Sequence, residues 1–333
     1  MKLSEIGEFG LIERLSANIG YGTGVVKGIG DDAAVLDFGE RWLLFTTDGL
    51  VEGVHFRLGQ CPPEDIGYKA LAVSVSDIAA MGGTPVYAVV TIGLPDDFFV
   101  EDTLLLYRGM KEAAQEFGVS LVGGDTISSP VLLINVALLG EALPGRTRYR
   151  NGAQPGDIIC LTGSLGGAAA GLYLLENNDV ECPEPLRNFL IGKHRRPKPR
   201  VEAGLILASI SQVHSLIDIS DGLASDVKHI ARESGVRCDI FKAAVPVDPA
   251  TEFLGRRTGT EPIEWALYGG EDYELLFTTA PGAMGDVFAA LSEAGAACRP
   301  VGKVSAGAGV RLITPDGVES EFEKMGYEHF SGG

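Results

Sequence analysis

An apolar segment that runs directly into hydroxyl and carboxylate side chains is the feature that most limits how this chain can fold. Residues 42–45, Trp-Leu-Leu-Phe, are typical of a buried strand, and Thr46, Thr47 and Asp48 follow at once. Oxygen ligands grouped at the end of a strand can hold a hard divalent cation. In an ordinary turn, by contrast, the aspartate would only accept hydrogen bonds from the neighbouring backbone. This segment alone leaves both interpretations open.

Acidic residues in a similar setting recur along the chain. Residues 62–81 begin with Pro-Pro-Glu-Asp and are predicted to form a helix, with Asp77 on its packed face. Asp218 lies inside an apolar segment that predicts a strand. Several carboxylates in one cleft could not all stay ionised without cations, and Mg²⁺ prefers oxygen ligands completed by substrate phosphates. The pattern therefore predicts a site for several magnesium ions and a phosphate. The predicted carboxylates are Asp32, Asp48, Asp77, Asp125, Asp218 and Asp221.

A glycine-rich segment at 28–33, Gly-Ile-Gly-Asp-Asp-Ala, formally matches the dinucleotide-binding pattern. The residues after it predict a strand rather than a helix, and two aspartates at this turn would repel a pyrophosphate. Asp31 and Asp32 are instead candidates for facing metal ions, and we expect at least one of them to be a turn or surface acid. The chain contains no Walker A sequence, so a P-loop fold is not expected.

Composition narrows the class of protein. The net charge of −18 over 333 residues argues against a nucleic-acid partner, which would need a basic face. The five cysteines are scattered without a Cys-x-x-Cys pair, so we expect neither a disulfide framework nor a zinc cluster. The sequence has no signal-peptide pattern and no apolar segment long enough to span a bilayer. These features predict a soluble, cytoplasmic protein without a membrane partner.

The order of predicted elements indicates an α/β chain in two domains. Around residues 145–155 the composition shifts to Arg, Gly and Pro, which predicts a boundary between domains at 1–145 and 150–333. Residues 5–19 predict an amphipathic helix, and residues 100–117 a second helix with Leu104 facing inward. We expect Ser220 or Asp221 to cap the helix that follows them. The basic segment 193–200 is expected to be an exposed connector.

Seven short motifs span nearly the whole chain. They lie at residues 28–35, 46–56, 68–82, 123–126, 218–223, 269–275 and 326–330. In this order they resemble the thiamine-monophosphate kinase family, within the aminoimidazole ribonucleotide synthetase-like superfamily. Motifs such as Asp-Ile-Ser-Asp-Gly are typical of the whole superfamily, whereas Val-Glu-Gly-Val-His-Phe and the tail Gly-Tyr-x-His-Phe are typical of the thiamine-phosphate branch.

The resemblance implies a two-domain α/β (α+β) fold of the superfamily type, with the N-terminal sheet pairing across a homodimer. The first domain would hold metal ions and ATP and form the dimer, and the second would close over nucleotide and substrate. The implied magnesium ligands are Asp32, Thr46, Thr47, Asp48, Asp77, Asp125, Asp218 and Asp221. The implied ATP contacts are Tyr107, Gly124, Asp125, Arg150 and Ser220. The implied thiamine monophosphate contacts are His55, Glu271 and Tyr327.

The reaction that the resemblance implies is transfer of a phosphoryl group from ATP to thiamine monophosphate, giving thiamine diphosphate. The acceptor is a phosphate oxygen that is already anionic near neutral pH, so direct in-line transfer needs no general base. Several Mg²⁺ ions and Arg150 would screen the charge between the two phosphoryl groups. The cationic thiazolium would be paired by Glu271, and Tyr327 would stack on it.

Other activities remain as alternatives. A sister ATP-dependent activity of the superfamily would keep the acidic site, although selenophosphate synthesis normally needs a reactive cysteine or selenocysteine in the loop at 20–30, where this chain has neither. A magnesium-dependent phosphohydrolase would release phosphate from simple monophosphates without ATP. A non-enzymatic acidic protein would bind Mg²⁺ without ATP-dependent turnover.

Overall fold

The first half of the chain forms a six-stranded mixed sheet with strand order β1-β2-β3-β6-β4-β5. The computed structural model describes residues 2–322, 324, 326, 327, 329 and 330. Only β4 and β5 run parallel, joined by a helical crossover, and the other neighbours are antiparallel. The strands are β1 Val25–Lys27, β2 Ala34–Asp37, β3 Trp42–Val51, β4 Thr84–Leu94, β5 Ser120–Ser128 and β6 Leu133–Ala142.

Two long helices cover one face of this sheet. Helix α2 (Pro63–Ala80) is almost entirely buried, and helix α3 (Val100–Phe117) crosses it closely. A Cβ atom on Gly67 would lie 1.8 Å from the carbonyl oxygen of Leu106, and one on Gly109 would lie 1.7 Å from that of Glu64, so glycine is required on both sides of the crossing. Leu104, predicted to face inward, is 65% exposed, because the packed face of α3 turns towards α2. The helices here are α1 Gly7–Ser16, α2 Pro63–Ala80 and α3 Val100–Phe117.

The opposite face of the first sheet is open. Phe45 on β3 and Tyr87 and Val89 on β4 project from this face and remain 46%, 48% and 43% exposed. The edge strand β5 is exposed along nearly its whole length, and Val122 on it is 60% exposed. An apolar sheet face beside an unpaired edge strand is unusual for a surface in contact with water.

The second half of the chain forms a seven-stranded sheet with order β13-β12-β9-β11-β7-β10-β8. Its strands are β7 Ile158–Leu161, β8 Val213–Asp218, β9 Arg237–Phe241, β10 Leu275–Thr279, β11 Arg299–Ser305, β12 Gly309–Ile313 and β13 Glu319–Ser320. Its helices are α4 Gly167–Glu176, α5 Glu184–Arg195, α6 Val201–Ser209, α7 Leu223–Ser234, α8 Pro249–Thr258, α9 Pro262–Tyr268 and α10 Met284–Glu293.

Helix α2 also forms the junction between the two halves. It contacts α6 and β8 of the second half as well as the first sheet. At the contact with α6, a Cβ atom on Gly204 would lie 2.1 Å from the carbonyl oxygen of Ala79, so the two backbones meet directly. The functional side chains of α2 are therefore fixed against both sheets.

Several local predictions were wrong in instructive ways. Strand β3 does not end before Thr46, because β6 pairs with it residue for residue as far as Val51. Helix α7 begins after Gly222, so neither Ser220 nor Asp221 occupies the capping position. Helix α1 forms as predicted, but no residue of it is buried, and Leu15 is 65% exposed.

The basic segment at 193–200 is not an exposed connector. It joins the two halves through ion pairs with acids of α2 and α3, including Lys198 with Glu116 at 2.7 Å and Arg196 with Asp65 at 3.7 Å. The guanidinium of Arg196 also stacks on the ring of Tyr68, 4.4 Å from its centroid. In an acidic chain these cations are drawn to the opposite charges of the neighbouring half. Among the described residues, no helix combines the length and the apolar character needed to cross a bilayer.

Candidate active site

Helix α2 orients carboxylates from both halves of the chain. The hydroxyl of Ser74 donates to Asp48 on β3 at 2.7 Å, and that of Ser76 donates to Asp218 at the end of β8 at 2.5 Å. Asp77 itself accepts a hydrogen bond from Thr46. Both serines are fully buried, so each hydroxyl has a fixed direction. The sequence places these serines two residues apart, which turns them towards different strands.

Three carboxylates converge beside this helix. One oxygen from each of Asp32, Asp77 and Asp218 lies within 4.8 Å of the others, close enough for the three to share an ion. Asp32 and Asp218 are buried, and the Oδ2 atom of Asp32 has no hydrogen-bond partner. Of the two neighbouring aspartates, Asp32 faces this group, whereas Asp31 pairs with Lys27 at 3.3 Å. Burial raises the pKa of Asp77, and the charge of the adjoining Asp48 raises it further.

Burial and mutual repulsion make this group costly to ionise. Burial, followed by the charge of Asp32, raises the pKa of Asp218 to about 8. Burial and the neighbouring charges of Asp48 and Asp218 raise the pKa of Asp77 well above its ordinary value. Oxygen ligands without enough protein partners fit a hard divalent cation, which would remove the repulsion. The donor set and the orphaned oxygen of Asp32 therefore fit magnesium.

Arg150 is the cation that the chain itself supplies to the cluster. Its guanidinium is 2.6 Å from Asp32 Oδ1, and its backbone N–H donates to Asp31 at 3.1 Å. Burial alone would lower the pKa of Arg150, but Asp32 outweighs it and raises that pKa. Arg150 thus lies at the junction of the two halves with its charge directed at the carboxylates.

Some predicted site residues lie outside the cluster. Thr47 projects from the opposite face of β3, where it accepts a hydrogen bond from Asn135 at 2.9 Å. Asp125 lies within β5, is exposed, and accepts the backbone N–H of Thr126. Gly124 has a structural requirement of its own, since a Cβ atom there would lie 2.0 Å from the carbonyl oxygen of Val90. Tyr107 packs at the margin of the first core.

A cavity of about 530 Å³ adjoins the carboxylates and brings together all three residues predicted to contact thiamine monophosphate. His55, Glu271 and Tyr327 line it, and Asp48 and Asp221 form part of the same wall. Ser220 lines it as well. The cavity lies between elements of both halves, as a substrate site in a cleft requires.

Glu271 is held in a network that sequence reasoning missed. Its Oε1 atom is 2.6 Å from the buried ammonium of Lys69, and its Oε2 atom is 2.9 Å from Nδ1 of His194. Burial would raise the pKa of Glu271, but the charge of Lys69 outweighs it and the pKa falls to about 2. Burial also lowers the pKa of His194. Lys69 belongs to the motif at residues 68–82, which was predicted to lie on a packed helix. A lysine at such a position was the signal in the sequence that could have identified it.

Two further residues at the site were missed. His329 lies against His55 with ring centroids 5.4 Å apart, and its ring accepts from or donates to the hydroxyl of Tyr327 at 3.2 Å. Asp226, one turn into α7, is buried and its Oδ2 atom has no hydrogen-bond partner. The positions of both residues depend on tertiary contacts.

Comparison with known proteins assigns this architecture. Residues 30–142 match the family model for the N-terminal domain of AIR synthase related proteins, and residues 154–314 match the model for the C-terminal domain. The thiamine-monophosphate kinase of Aquifex aeolicus (strain VF5) is 38% identical over 330 residues, covering 99% of this chain and 100% of that protein. The chain belongs to the thiamine-monophosphate kinase family. These matches confirm the predicted α/β fold of the superfamily type, and they confirm that the protein is a kinase.

Further relatives share the sequence or the fold of this chain. The thiamine-monophosphate kinase of Bacillus subtilis (strain 168) is 37% identical, covering 97% of this chain and 99% of that protein. The solved structure of AaThiL complexed with AMPPCP and TMP superposes with a TM-score of 0.88 at 36% identity and covers 99% of both chains. A hydrogenase maturation protein, HypE in complex with ATP, shares the fold at 23% identity, covering 98% of this chain and 99% of that one, with a TM-score of 0.71.

Proposed function

We propose that this kinase transfers a phosphoryl group from ATP to thiamine monophosphate and so forms thiamine diphosphate. The observation that carries the proposal is the cavity lined by His55, Glu271 and Tyr327, whose wall includes Asp48 and adjoins the carboxylate cluster. A monophosphate bound in this cavity would have its phosphate near the carboxylates. A relative of nearly the same length and fold has been solved with AMPPCP and TMP, which supports the same pair of ligands here.

Magnesium ions are part of the proposal. The carboxylates of Asp32, Asp77 and Asp218 would hold them, joined by Asp48 and Asp221, with Thr46 as a hydroxyl ligand. When bound, magnesium would screen the negative charge on the two phosphoryl groups that must approach each other. Thr47 and Asp125 remain proposed ligands, although Thr47 projects from the face of β3 opposite the carboxylate cluster and Asp125 lies on the exposed strand β5.

The chain's own residues would position the reactants for direct in-line transfer. Arg150 can neutralise phosphate oxygens once it exchanges Asp32 for a phosphate, since the guanidinium fork fits either partner. The acceptor oxygen is already anionic, so no side chain needs to remove a proton. Burial lowers the pKa of His55, which leaves its ring neutral and suited to hydrogen bonding. Tyr107, Gly124, Asp125 and Ser220 are the proposed remaining contacts to ATP.

A homodimer is the proposed assembly. The open face of the first sheet carries Phe45, Tyr87 and Val89, and β5 presents an unpaired edge beside them. A second copy pairing through this sheet would bury both features at once. We also propose the division into an N-terminal domain at 1–145, with the metal site and the dimer contact, and a C-terminal domain at 150–333, which closes over the ligands. The cytoplasmic location remains a prediction.

One assay tests the function. The protein is incubated with ATP, Mg²⁺ and thiamine monophosphate, and thiamine diphosphate is quantified by chromatography. Parallel reactions omit ATP or replace the acceptor with formylglycinamidine ribonucleotide or selenide. Thiamine diphosphate formed only in the complete reaction supports the proposal. Turnover with another acceptor alone would indicate a sister activity, and phosphate release without ATP would indicate a phosphohydrolase.

A further inference from the structure

Lys69 is a buried cation in the wall of the proposed substrate cavity. Its side chain is only 3% exposed, and its ammonium lies 2.6 Å from Glu271. The other strongly basic side chain in the described cavity wall is Arg57, which is 55% exposed and pairs with Glu176. A lysine is seldom buried unless its charge is paired and used. Lys69 therefore affects which partners the carboxylate of Glu271 can bind.

The backbone of Glu271 is fixed as tightly as its side chain. Its φ angle is +67°, a left-handed conformation that a residue other than glycine adopts only when the surroundings hold it. Its N–H donates to the carbonyl oxygen of Ser220 at 2.8 Å, and a Cβ atom on Gly270 would lie 2.1 Å from the same oxygen. The loop is thus pressed against the end of β8, beside the carboxylate cluster.

These contacts change the chemical character of Glu271. A carboxylate that is already paired with an ammonium has little net charge to offer a cationic ring. Its free lone pairs nevertheless accept hydrogen bonds in a fixed direction, and the neutral ring of His194 lies 2.9 Å from the second oxygen. Such an acceptor suits a neutral N–H donor, and the pyrimidine amino group of thiamine monophosphate is one.

We propose that Lys69 is a positioning residue that holds Glu271 as a directional acceptor for the substrate's amino group, so that the pair selects for the aminopyrimidine. The inference rests on the proposed function. It replaces the expectation that Glu271 acts as the counter-ion of the thiazolium.

The test compares thiamine monophosphate with oxythiamine monophosphate, which keeps the thiazolium but carries an oxo group in place of the amino group. The wild-type protein should prefer thiamine monophosphate strongly in kcat/KM. In Lys69→Met we expect KM for thiamine monophosphate to rise roughly 30-fold or more, since a buried charge pair is broken. The KM for ATP should not change, and the preference between the two acceptors should largely disappear.

A double variant shows whether Lys69 acts through Glu271. Lys69→Met/Glu271→Gln should have about the same KM as Glu271→Gln alone, because the two side chains form one unit. Lys198→Met is the matched control. Its ammonium pairs with Glu116 outside the cavity, so it should leave the acceptor preference intact. If Lys69→Met does not fold because Glu271 is left as an unpaired buried charge, the double variant removes that charge. Its KM can then still be compared with that of Glu271→Gln alone.

Each outcome has a separate meaning. Equal use of both acceptors by the wild-type protein would overturn the inference while leaving the kinase activity in place. Unchanged KM in Lys69→Met, or additive effects in the double variant, would do the same. A wild-type protein that phosphorylates neither acceptor would instead refute the proposed function, and the inference with it.

Discussion

Ser76 on helix α2 donates a 2.5 Å hydrogen bond to Asp218, which ends a strand in the other half of the chain. Both residues are buried. The bond orients one carboxylate of the cluster from the opposite sheet, so the proposed metal site depends on the docking of the two halves. Residues 142 positions apart in sequence are thereby joined in one constellation.

Removing that bond should weaken metal binding. In Ser76→Ala, the carboxylate of Asp218 loses its buried donor, and we expect a higher magnesium requirement together with a stability loss of about 1–3 kcal/mol. Titration of activity against Mg²⁺ and thermal melting measure the two effects. Ser209→Ala, which removes an exposed hydroxyl bonded within its own helix, is the control. An unaltered magnesium requirement in Ser76→Ala would contradict the assigned role.

Replacing Asp48 should stop catalysis without unfolding the protein. Asp48→Asn keeps the size of the side chain and can still accept from Ser74, but it removes a negative charge from a crowded site. We therefore expect turnover to fall by a factor of about a hundred to a thousand, the range found when one group that stabilises transferred charge is removed. Circular dichroism should match that of the wild-type protein. Full activity would show that Asp48 is not part of the proposed magnesium site.

The ion pair of Glu271 predicts a pH dependence. Its pKa in the folded protein is lowered from 4.5 to about 2, so the pair stabilises the fold above pH 4.5 and loses that contribution as pH falls towards 2. Glu271→Gln lacks this contribution at every pH. The gap in melting temperature between the two proteins should therefore be largest near neutrality and shrink as acid is added. A gap that stays constant down to pH 3 would show that Glu271 is not stabilised in its ionised form.

A charge on the open sheet face should disrupt the proposed dimer. Val89 lies in the middle of this face and is 43% exposed. Val89→Glu would place a carboxylate inside an apolar contact, which costs several kcal/mol when it is unpaired. Light scattering should report a dimer for the wild-type protein and a monomer for the variant. Val100→Glu, at the exposed start of α3, should remain dimeric. A monomeric wild-type protein would refute the proposed assembly.

The crossing of α2 and α3 should not tolerate a methyl group. In Gly67→Ala the new Cβ atom would meet the backbone oxygen of Leu106 at 1.8 Å, so the helices must separate. We expect a loss of about 1–3 kcal/mol in the free energy of unfolding, as for other overpacked cores. Gly192→Ala on α5 has open space around it and should be neutral or stabilising by up to about 1 kcal/mol. Denaturant titration compares the two, and equal stability would contradict the close crossing.

Local pattern was a good guide where one element decides the outcome. The start of α2 at a proline followed by acidic residues, and the face of that helix that carries Asp77, both follow from short-range rules. The recurrence of aspartates in apolar segments also identified Asp32, Asp77 and Asp218, which the structure brings within 4.8 Å. A carboxylate is too costly to bury without a reason, so its sequence setting is informative.

Pattern failed where pairing between strands overrode local signals. Thr46 and Asp48 read as the end of a strand, but β6 supplies hydrogen-bond partners for the whole segment, and β3 continues. The basic segment at 193–200 read as a connector because its acidic partners lie in α2 and α3, far away in sequence. No local rule reports which distant charges will be neighbours.

The sequence by itself determined the family, the kinase chemistry and the residues with unusual buried charge, because those properties reside in residue types and short motifs. The tertiary structure decided that Asp32 rather than Asp31 faces the cluster, that Thr47 and Asp125 lie outside it, and that Lys69 neutralises Glu271. The physical reason is that these outcomes depend on the direction in which each side chain projects. The face of a sheet on which a side chain projects, and the charge that it meets there, are fixed only when the two halves pack against α2.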